Sequence, residues 1–289
     1  MNQIKLFIEL TRLEKPIGYM LLFWPCAWGL TLAHDFSSNL SNYFFYLLLF
    51  FLGAVLMRSA GCIVNDIFDK EFDKKVSRTK NRPIASGQVS IKVAIFYASV
   101  LCLLALIVLL NFNQFTIILA LGSMPLAFTY PLMKRFTYWP QLFLGITFNY
   151  GLILGWTVIR EQIDIIPVIF YLGAIFWTLG YDTIYGFQDI KDDEIIGLKS
   201  TSIRFKGNEK KFLLTCYALL LIFFVVGGYF MKFNYIYYFL LIIPFFHLFF
   251  YQMTVFNSKN PKSCLKVFKS NNLFGFILCL NILIGKILV

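Results

Sequence analysis

Three polar side chains, one amide and two carboxylates, follow one another at intervals of four residues where the second apolar run of the chain ends. Asn65, Asp69 and Asp73 share one face if this segment is helical, because residues four apart point the same way on a helix. Like charges on one face repel each other unless a cation lies between them. Oxygen ligands of this kind suit Mg²⁺, which binds one or two carboxylates together with substrate phosphates. The spacing therefore predicts a metal site, and a solvated helix end is the alternative interpretation.

A second acidic series of the same kind lies further along the chain. Asp189 and Asp193 follow Tyr185 at spacings of four residues, and Asp182 precedes Asp189 by seven. These spacings place the acidic side chains on compatible turns of a helix. Two such series predict a pair of metal ions that bridge a diphosphate. The metal ions would neutralise the leaving group and help an allylic carbon–oxygen bond to ionise.

Basic side chains lie close to both acidic series in the sequence. Arg78 and Arg82 follow the first series, Lys199 follows the second, and Lys134 with Arg135 ends another apolar run. Arg binds phosphate oxygens through a bidentate fork, whereas Lys acts as a point charge. Acidic residues alone would fit cation transport, but acidic residues followed by bases indicate a metal–diphosphate site. Retention of positive charge on the cytoplasmic side of a membrane is the alternative explanation.

The elements that must position these side chains are transmembrane helices. The 289 residues are 59% hydrophobic and only 14% charged, whereas a soluble domain carries about 25% charged residues. Apolar runs of about 20 residues recur from end to end, long enough to cross a hydrocarbon core of about 30 Å. We therefore predict an all-α, polytopic bundle of about nine transmembrane helices. The expected spans are 17–34, 41–64, 92–111, 114–132, 139–159, 165–187, 212–230, 235–255 and 271–288.

The distribution of basic residues predicts the orientation of this bundle. Most of the 26 Lys and Arg residues fall on one side if the spans alternate, so we expect the N-terminus and both long charged loops to be cytoplasmic. This asymmetry accounts for the net charge of +11 without a nucleic-acid partner. We expect one domain over residues 1–289, with two related halves of about 1–133 and 134–289. The N-terminal segment lacks a signal-peptide pattern, which favours the bacterial cell inner membrane over the mitochondrial inner membrane.

Further short motifs surround these residues. They are Arg12-Leu-Glu-Lys-Pro16-Ile-Gly18, Trp24-Pro25, Asn81-Arg82-Pro83, Tyr130-Pro131-Leu-Met-Lys134-Arg135, Tyr181-Asp182-Thr183-Ile-Tyr185 and Lys199-Ser200-Thr201. Together with the two acidic series, they resemble the UbiA superfamily of intramembrane prenyltransferases, most closely its 4-hydroxybenzoate polyprenyltransferase branch. The resemblance runs from about residue 12 to residue 207, and the last three spans match only in apolar character.

This resemblance implies a bundle around a central cavity, Mg²⁺ as cofactor, and transfer of an all-trans polyprenyl group from a polyprenyl diphosphate to 4-hydroxybenzoate for ubiquinone biosynthesis. The metal ligands that it implies are Asn65, Asp69, Asp73, Asp189 and Asp193. The substrate-binding residues are Asn65, Arg82, Tyr130, Lys134, Arg135, Tyr185 and Lys199. Lys70 stands where some relatives have Arg, which leaves Arg135 as the better candidate to bind the aromatic carboxylate.

The expected mechanism assigns catalytic roles to Asp69, Asp182, Asp189 and Asp193. Diphosphate leaves, the ring carbon beside the phenol oxygen attacks the allylic cation, and Asp182 or Asp193 removes the ring proton. The cavity must contain little water, because water would hydrolyse the cation. One alternative is the same ionisation with a naphthoate or porphyrin acceptor. Another is a secondary transporter, which would place its acidic residues near the membrane midplane.

Overall fold

The computed structural model describes residues 3–37 and 39–288, and the regular structure in this part of the chain is entirely helical. Eight segments are long and apolar enough to cross a membrane, and α2 is a shorter apolar helix of 17 residues. The all-α membrane bundle is thus confirmed, and with α2 the count agrees with about nine spans. The helices are α1 (Gln3–Thr11), α2 (Ile17–Ala33), α3 (Leu40–Phe68), α4 (Lys70–Asp73), α5 (Ile91–Leu109), α6 (Gln114–Thr129), a 3₁₀ turn (Tyr130–Leu132), α7 (Met133–Phe136), α8 (Pro140–Arg160), α9 (Ile165–Gly186), α10 (Ile190–Ile196), α11 (Thr201–Arg204), α12 (Glu209–Phe230), α13 (Tyr235–Leu240), α14 (Ile242–Phe246), a π-helical segment (His247–Gln252), α15 (Met253–Val255) and α16 (Pro261–Ile287).

The last helix is longer than hydropathy predicts. The expected start at residue 271 is wrong, because α16 begins at Pro261 and its first turns carry Lys262, Lys266 and Lys269. Asn260 caps this start, since its side chain accepts hydrogen bonds from the backbone N–H groups of the next turn. A span predicted from hydropathy leaves out these charged turns, although the backbone continues through them as one helix.

Helices α2 and α8 approach so closely that side chains are excluded from their contact. A Cβ atom on Gly29 would lie 2.0 Å from the carbonyl oxygen of Leu152, and one on Gly155 would lie 2.3 Å from that of Cys26. Gly151 and Gly155 form the small-xxx-small spacing that permits close packing of membrane helices. The absence of side chains at these positions therefore sets the distance between the two helices.

A buried hydrogen-bond network joins the helices of the second half of the bundle. The Asn271 side-chain oxygen accepts from the indole N–H of Trp177 at 2.8 Å and from the Gln252 amide at 3.2 Å. The Gln252 oxygen in turn accepts from the Tyr217 hydroxyl at 2.5 Å. Such bonds stabilise helix association in an apolar medium. The network holds α9, which carries the second acidic series, against α12 and α16.

Replacing Gly29 with Ala is expected to destabilise the protein by about 1–3 kcal/mol, because the new methyl group would press on the backbone of α8. Gly53→Ala is the matched control, since a Cβ atom there would have nothing within 4 Å. The control should be neutral or slightly stabilised by the higher helix propensity of Ala. Thermal unfolding in detergent measures both effects, and equal melting temperatures for the two variants would contradict the close approach.

Candidate active site

The first acidic series spans the junction between α3 and α4. Helix α3 ends at Phe68, and Asp69 joins it to α4 with φ −93° and ψ 1°. The backbone N–H of Asp69 nevertheless donates to the carbonyl of Asn65 at 2.9 Å, and that of Asp73 donates to Asp69 at 2.8 Å. The helical repeat therefore continues through the junction and keeps the three residues on one face.

The second series begins within α9 and ends in α10. Asp182 and Tyr185 belong to α9, whereas Asp189 precedes α10 and Asp193 lies inside it. Asp193 N–H donates to the Asp189 carbonyl at 2.9 Å, but Gln188 N–H donates back to Tyr185, only three residues earlier. The repeat of four is thus kept between the two aspartates and interrupted before them.

The loop that follows the first series contacts the second series directly. Arg78 Nε donates to both carboxylate oxygens of Asp189, at 2.7 and 2.9 Å, and its guanidinium lies 5.9 Å from the Tyr185 ring. The backbone N–H and hydroxyl of Ser77 donate to Asp192 at 3.3 and 3.1 Å. These bonds bring the two acidic series together at one end of the bundle.

The carboxylates of the first series are buried and paired with cations. Asp66, Asp69 and Asp73 are 2%, 2% and 6% exposed. Lys134 forms an ion pair with Asp69, and Arg82 donates to Asp66 at 3.0 Å and to Asp73 at 2.8 Å. Buried carboxylates are costly without such partners, so these pairs are a condition of the fold at this end.

Two of the predicted basic residues lie beside this network without an ion pair in the described part of the chain. Arg135 donates to the Phe68 carbonyl at 2.8 Å and stacks over Phe72 at 5.2 Å. Lys199 Nζ donates to the Phe136 carbonyl at 3.2 Å. Both side chains bind the backbone near the ends of α3 and α7, which holds these ends together.

Arg58 is a half-buried cation that the sequence analysis did not assign to the site. It lies within the α3 span and bonds Cys62 Sγ at 2.9 Å, with its guanidinium 5.8 Å from the Phe148 ring. Gly18 leaves room for it, since a Cβ atom there would lie 2.8 Å from Arg58 Nε. That nitrogen is buried and has no hydrogen-bond partner among the described residues. An arginine inside a membrane span was the signal that could have identified it.

Asp182 and Tyr130 lie in the electrostatic neighbourhood of this guanidinium. Arg58 interacts electrostatically with both, although no carboxylate of the described residues pairs with it within 4.0 Å. Asp182 is half-buried, and Tyr130 begins the 3₁₀ turn after α6. Arg58 and Asp182 therefore form a polar cluster within the spans of α3 and α9, further from the helix ends than the paired carboxylates.

Two further residues, Arg12 and Asp66, complete the end of the bundle, and the sequence analysis gave them no site role. Arg12 pairs with Asp66, which is the residue next to Asn65 in the first series. Arg78 was expected only as one of several nearby bases, and it instead pairs with Asp189. Spacing could not identify Asp66, because it lies off the face shared by the residues at every fourth position.

The donor chemistry of both series fits a hard divalent cation. All predicted ligands offer oxygen, and Asp69 keeps one carboxylate oxygen buried without a partner. Within the described residues no three acidic, His or Cys side chains converge as they would around an ion. Asp69, Asp73 and Asp189 are paired with Lys or Arg instead. The residues therefore match Mg²⁺ in kind, while protein cations supply the opposite charge in this structure.

Two carboxyl groups outside the membrane-spanning segments have raised pKa values. Burial raises the pKa of Asp193 to about 6, and the neighbouring charge of Asp189 adds to the shift. Burial also raises the pKa of Asp73, although pairing with Arg82 opposes this change. Both groups are therefore easier to protonate than an exposed aspartate.

Residues 22–278 match the UbiA prenyltransferase family. A relative from Drosophila pseudoobscura pseudoobscura, named "4-hydroxybenzoate polyprenyltransferase, mitochondrial", is 42% identical over 98% of this chain and 71% of its own. A Bos taurus protein of the same name is 43% identical over 97% of this chain and 75% of its own. The Homo sapiens protein of that name is 48% identical over 72% of this chain and 56% of its own.

Solved structures share the fold at lower identity. The apo structure of a UbiA homolog from Aeropyrum pernix K1 has a TM-score of 0.77 and 22% identity, over 93% of this chain and 98% of that one. A UbiA homolog from Archaeoglobus fulgidus, bound to GPP and Mg²⁺, has a TM-score of 0.65 and 16% identity, over 94% of this chain and 99% of that one. These likenesses establish the fold.

The buried Asp193 predicts a pH dependence of stability in metal-free buffer. Its folded-state pKa lies above the unfolded value, so the folded protein holds this proton more tightly and loses stability as pH rises towards about 6. Relative to wild type, Asp193→Asn should gain about 1 kcal/mol of unfolding free energy between pH 5 and pH 7. Glu194→Gln, which removes an exposed carboxylate that pairs with Lys206, is the control. A constant difference between wild type and Asp193→Asn across this range would contradict the shift.

Proposed function

The chain belongs to the UbiA prenyltransferase family, and from this premise we propose that it transfers an all-trans polyprenyl group from a polyprenyl diphosphate to 4-hydroxybenzoate. The product is 3-polyprenyl-4-hydroxybenzoate, for ubiquinone biosynthesis. The names of relatives that are 42% to 48% identical support this acceptor over a naphthoate or a porphyrin. They also argue against a transporter, because those relatives are named as transferases.

One observation carries the proposal: the two acidic series meet at one end of an apolar bundle, with cations between them. Arg78 joins the loop after the first series to Asp189 of the second. Lys134, at the boundary of the two predicted halves, pairs with Asp69. Carboxylates and cations that alternate in this way provide ligands for a metal ion and donors for a diphosphate in one place.

The proposed metal ligands are the oxygens of both series, and the proposed metal is Mg²⁺. The ligands are Asn65, Asp69, Asp73, Asp189 and Asp193. When bound, Mg²⁺ would neutralise the diphosphate and so favour ionisation of the allylic carbon–oxygen bond. Arg78, Arg82 and Lys134 have N–H donors beyond those that contact carboxylates, and these would bind phosphate oxygens.

The half-buried Arg58 is better placed than Arg135 to bind the carboxylate of the aromatic acid. Arg135 is engaged with the Phe68 carbonyl and the Phe72 ring, whereas Arg58 keeps a buried N–H without a partner. A guanidinium can hold a carboxylate by two parallel hydrogen bonds. An acid anchored there lies among the apolar helices, on the membrane side of the diphosphate site.

Asp182 is the group that we assign to removal of the ring proton. It lies in α9, seven residues before Asp189 and in the electrostatic neighbourhood of Arg58. Asp193 is assigned to the metal instead, and a carboxylate bound to a cation is a weaker base. Asp182 is half-buried within the α9 span, and the reaction requires that little water reach it, because water would hydrolyse the cation.

An apolar crevice between α2, α3 and α16 offers a place for the far end of the prenyl group. Its volume is about 390 Å³, and it opens at the surface of the bundle. The side chains that line it include Phe23, Trp24, Tyr43, Phe44 and Phe276. An isoprenoid tail that reaches this crevice from the lipid would be held by packing against these side chains.

The protein is a multi-pass membrane protein, and the names of its relatives favour a mitochondrial membrane. They do not support the bacterial inner membrane that was expected from the N-terminal segment. We further propose that the N-terminus and the diphosphate site share the side that retains most of the basic residues. The division into two related halves also stays a proposal.

Membranes that contain this chain should transfer label from a polyprenyl diphosphate to 4-hydroxybenzoate only when Mg²⁺ is present. Asp69→Ala and Asp189→Ala should each lower the rate at least about 100-fold, because each removes a proposed metal ligand. Glu71→Gln and Glu194→Gln are controls in the same segments, since these exposed residues pair with the exposed Lys74 and Lys206. Full activity of both alanine variants, or no transfer by folded wild type, would contradict the proposal.

Arg58→Gln should raise KM for 4-hydroxybenzoate about tenfold or more, with little change in KM for the prenyl diphosphate. The amide analogue of the acceptor should react equally with wild type and variant, because it lacks the carboxylate that Arg58 would bind. Arg135→Gln is the matched comparison. A selective rise of the acceptor KM in Arg135→Gln alone would return the assignment to Arg135.

A further inference from the structure

Asp66 is a buried carboxylate on which two arginines converge. It is 2% exposed, and its Oδ1 atom accepts from Arg82 Nη1 at 3.0 Å and also pairs with Arg12. It directly follows Asn65, so it lies about 100° around the helix from the face of the predicted metal ligands. Its carboxylate contacts Arg12 and Arg82, and it lies off the face that carries the predicted metal ligands.

The two arginines face outward from the carboxylate that pairs with them. Their side chains are 19% and 20% exposed, ten times the exposure of Asp66. Arg82 also donates to Asp73 at 2.8 Å, so it reaches the first acidic series. Arg12 lies within electrostatic range of Tyr185 of the second series. Arg82 therefore contacts the first series and Arg12 lies near the second, while Asp66, which pairs with both, is almost fully buried.

The N-terminal segment holds Arg12 in an unusual backbone conformation. Its φ is +55°, in the left-handed region that residues other than glycine rarely adopt. Such a conformation persists where the surroundings determine it. Leu6 and Leu10 of α1 pack against α3 residues that include Ala60 and Ile63, and this packing sets where the chain leaves α1. The pairing with Asp66 then fixes the side chain.

We propose that Asp66 is a positioning residue that directs Arg12 and Arg82 at the diphosphate, so that the N-terminal segment forms part of the donor site. This inference rests on the proposed function. Two guanidiniums held close together repel each other, and one carboxylate between them offsets that repulsion. A diphosphate then meets two donors already fixed in place and loses less binding energy to their ordering. Asp66 itself touches neither the substrate nor the metal.

Asp66→Asn tests the role, because it keeps the shape and one acceptor oxygen but removes the charge. The variant should bind a non-reactive thiodiphosphate analogue of the prenyl donor about tenfold more weakly, measured by calorimetry without acceptor. KM for the prenyl diphosphate should rise by a similar factor, while KM for 4-hydroxybenzoate and the Mg²⁺ concentration for half-activation stay unchanged. Glu71→Gln, which removes an exposed charge from the same segment, should change none of these values.

Arg12→Lys is a second variant that retains the charge but lacks the fork, and it should show the same selective weakening. Melting temperatures show whether each variant is folded. Unchanged analogue affinity in folded Asp66→Asn overturns the inference, and so does a shifted Mg²⁺ requirement, which would make Asp66 a metal ligand. If Asp66→Asn does not fold, unchanged affinity in Arg12→Lys overturns it instead. Absence of transfer by wild type would count against the proposed function, whereas the analogue affinities still decide the role of Asp66.

Discussion

The structure of the active end depends on one electrostatic constraint: carboxylates that leave water must be matched by cations. Asp66, Asp69 and Asp73 are almost fully buried, and each is paired with a basic side chain from another segment. An unpaired carboxylate at this depth would cost several kcal/mol. The pairs therefore hold together chain segments that are far apart in sequence. In the proposed function the same groups would offer ligands and donors to a metal diphosphate, so that one arrangement would serve both folding and binding.

The apolar part of the bundle gives this charged end a rigid support. Close contact between α2 and α8 depends on glycines, and the Asn271 network joins α9 to α12 and α16. The paired residues, in contrast, lie at helix ends, in the 3₁₀ and α7 region and in the loop that carries Arg78. Helix packing thus sets the distance between the two acidic series, and side chains on short elements complete the site.

Polar groups at two depths separate the two halves of the proposed reaction. Most of the paired carboxylates lie where α3 and α9 end, whereas Arg58 and Asp182 lie within the spans. A diphosphate needs the many donors of the outer group. An allylic cation and an aromatic ring need surroundings with little water, and Arg58 and Asp182 lie within the apolar spans, where such surroundings are expected. In the proposed reaction, the prenyl diphosphate and the aromatic acid would thus bind in environments of different polarity.

Local sequence patterns determined the membrane spans and the two acidic series, because hydropathy and spacings of four residues are properties of neighbouring positions. The family resemblance rested on short motifs, which are local as well. Hydropathy misplaced the start of α16, where lysines continue the helix beyond its apolar part. Tertiary structure alone decided that Arg78 pairs with Asp189 and Lys134 with Asp69. It also decided that Arg58 Nε finds no hydrogen-bond partner among the described residues, while Arg135 binds the backbone. These partners lie far apart in sequence. Their contacts follow from how the helices pack, which no local pattern records.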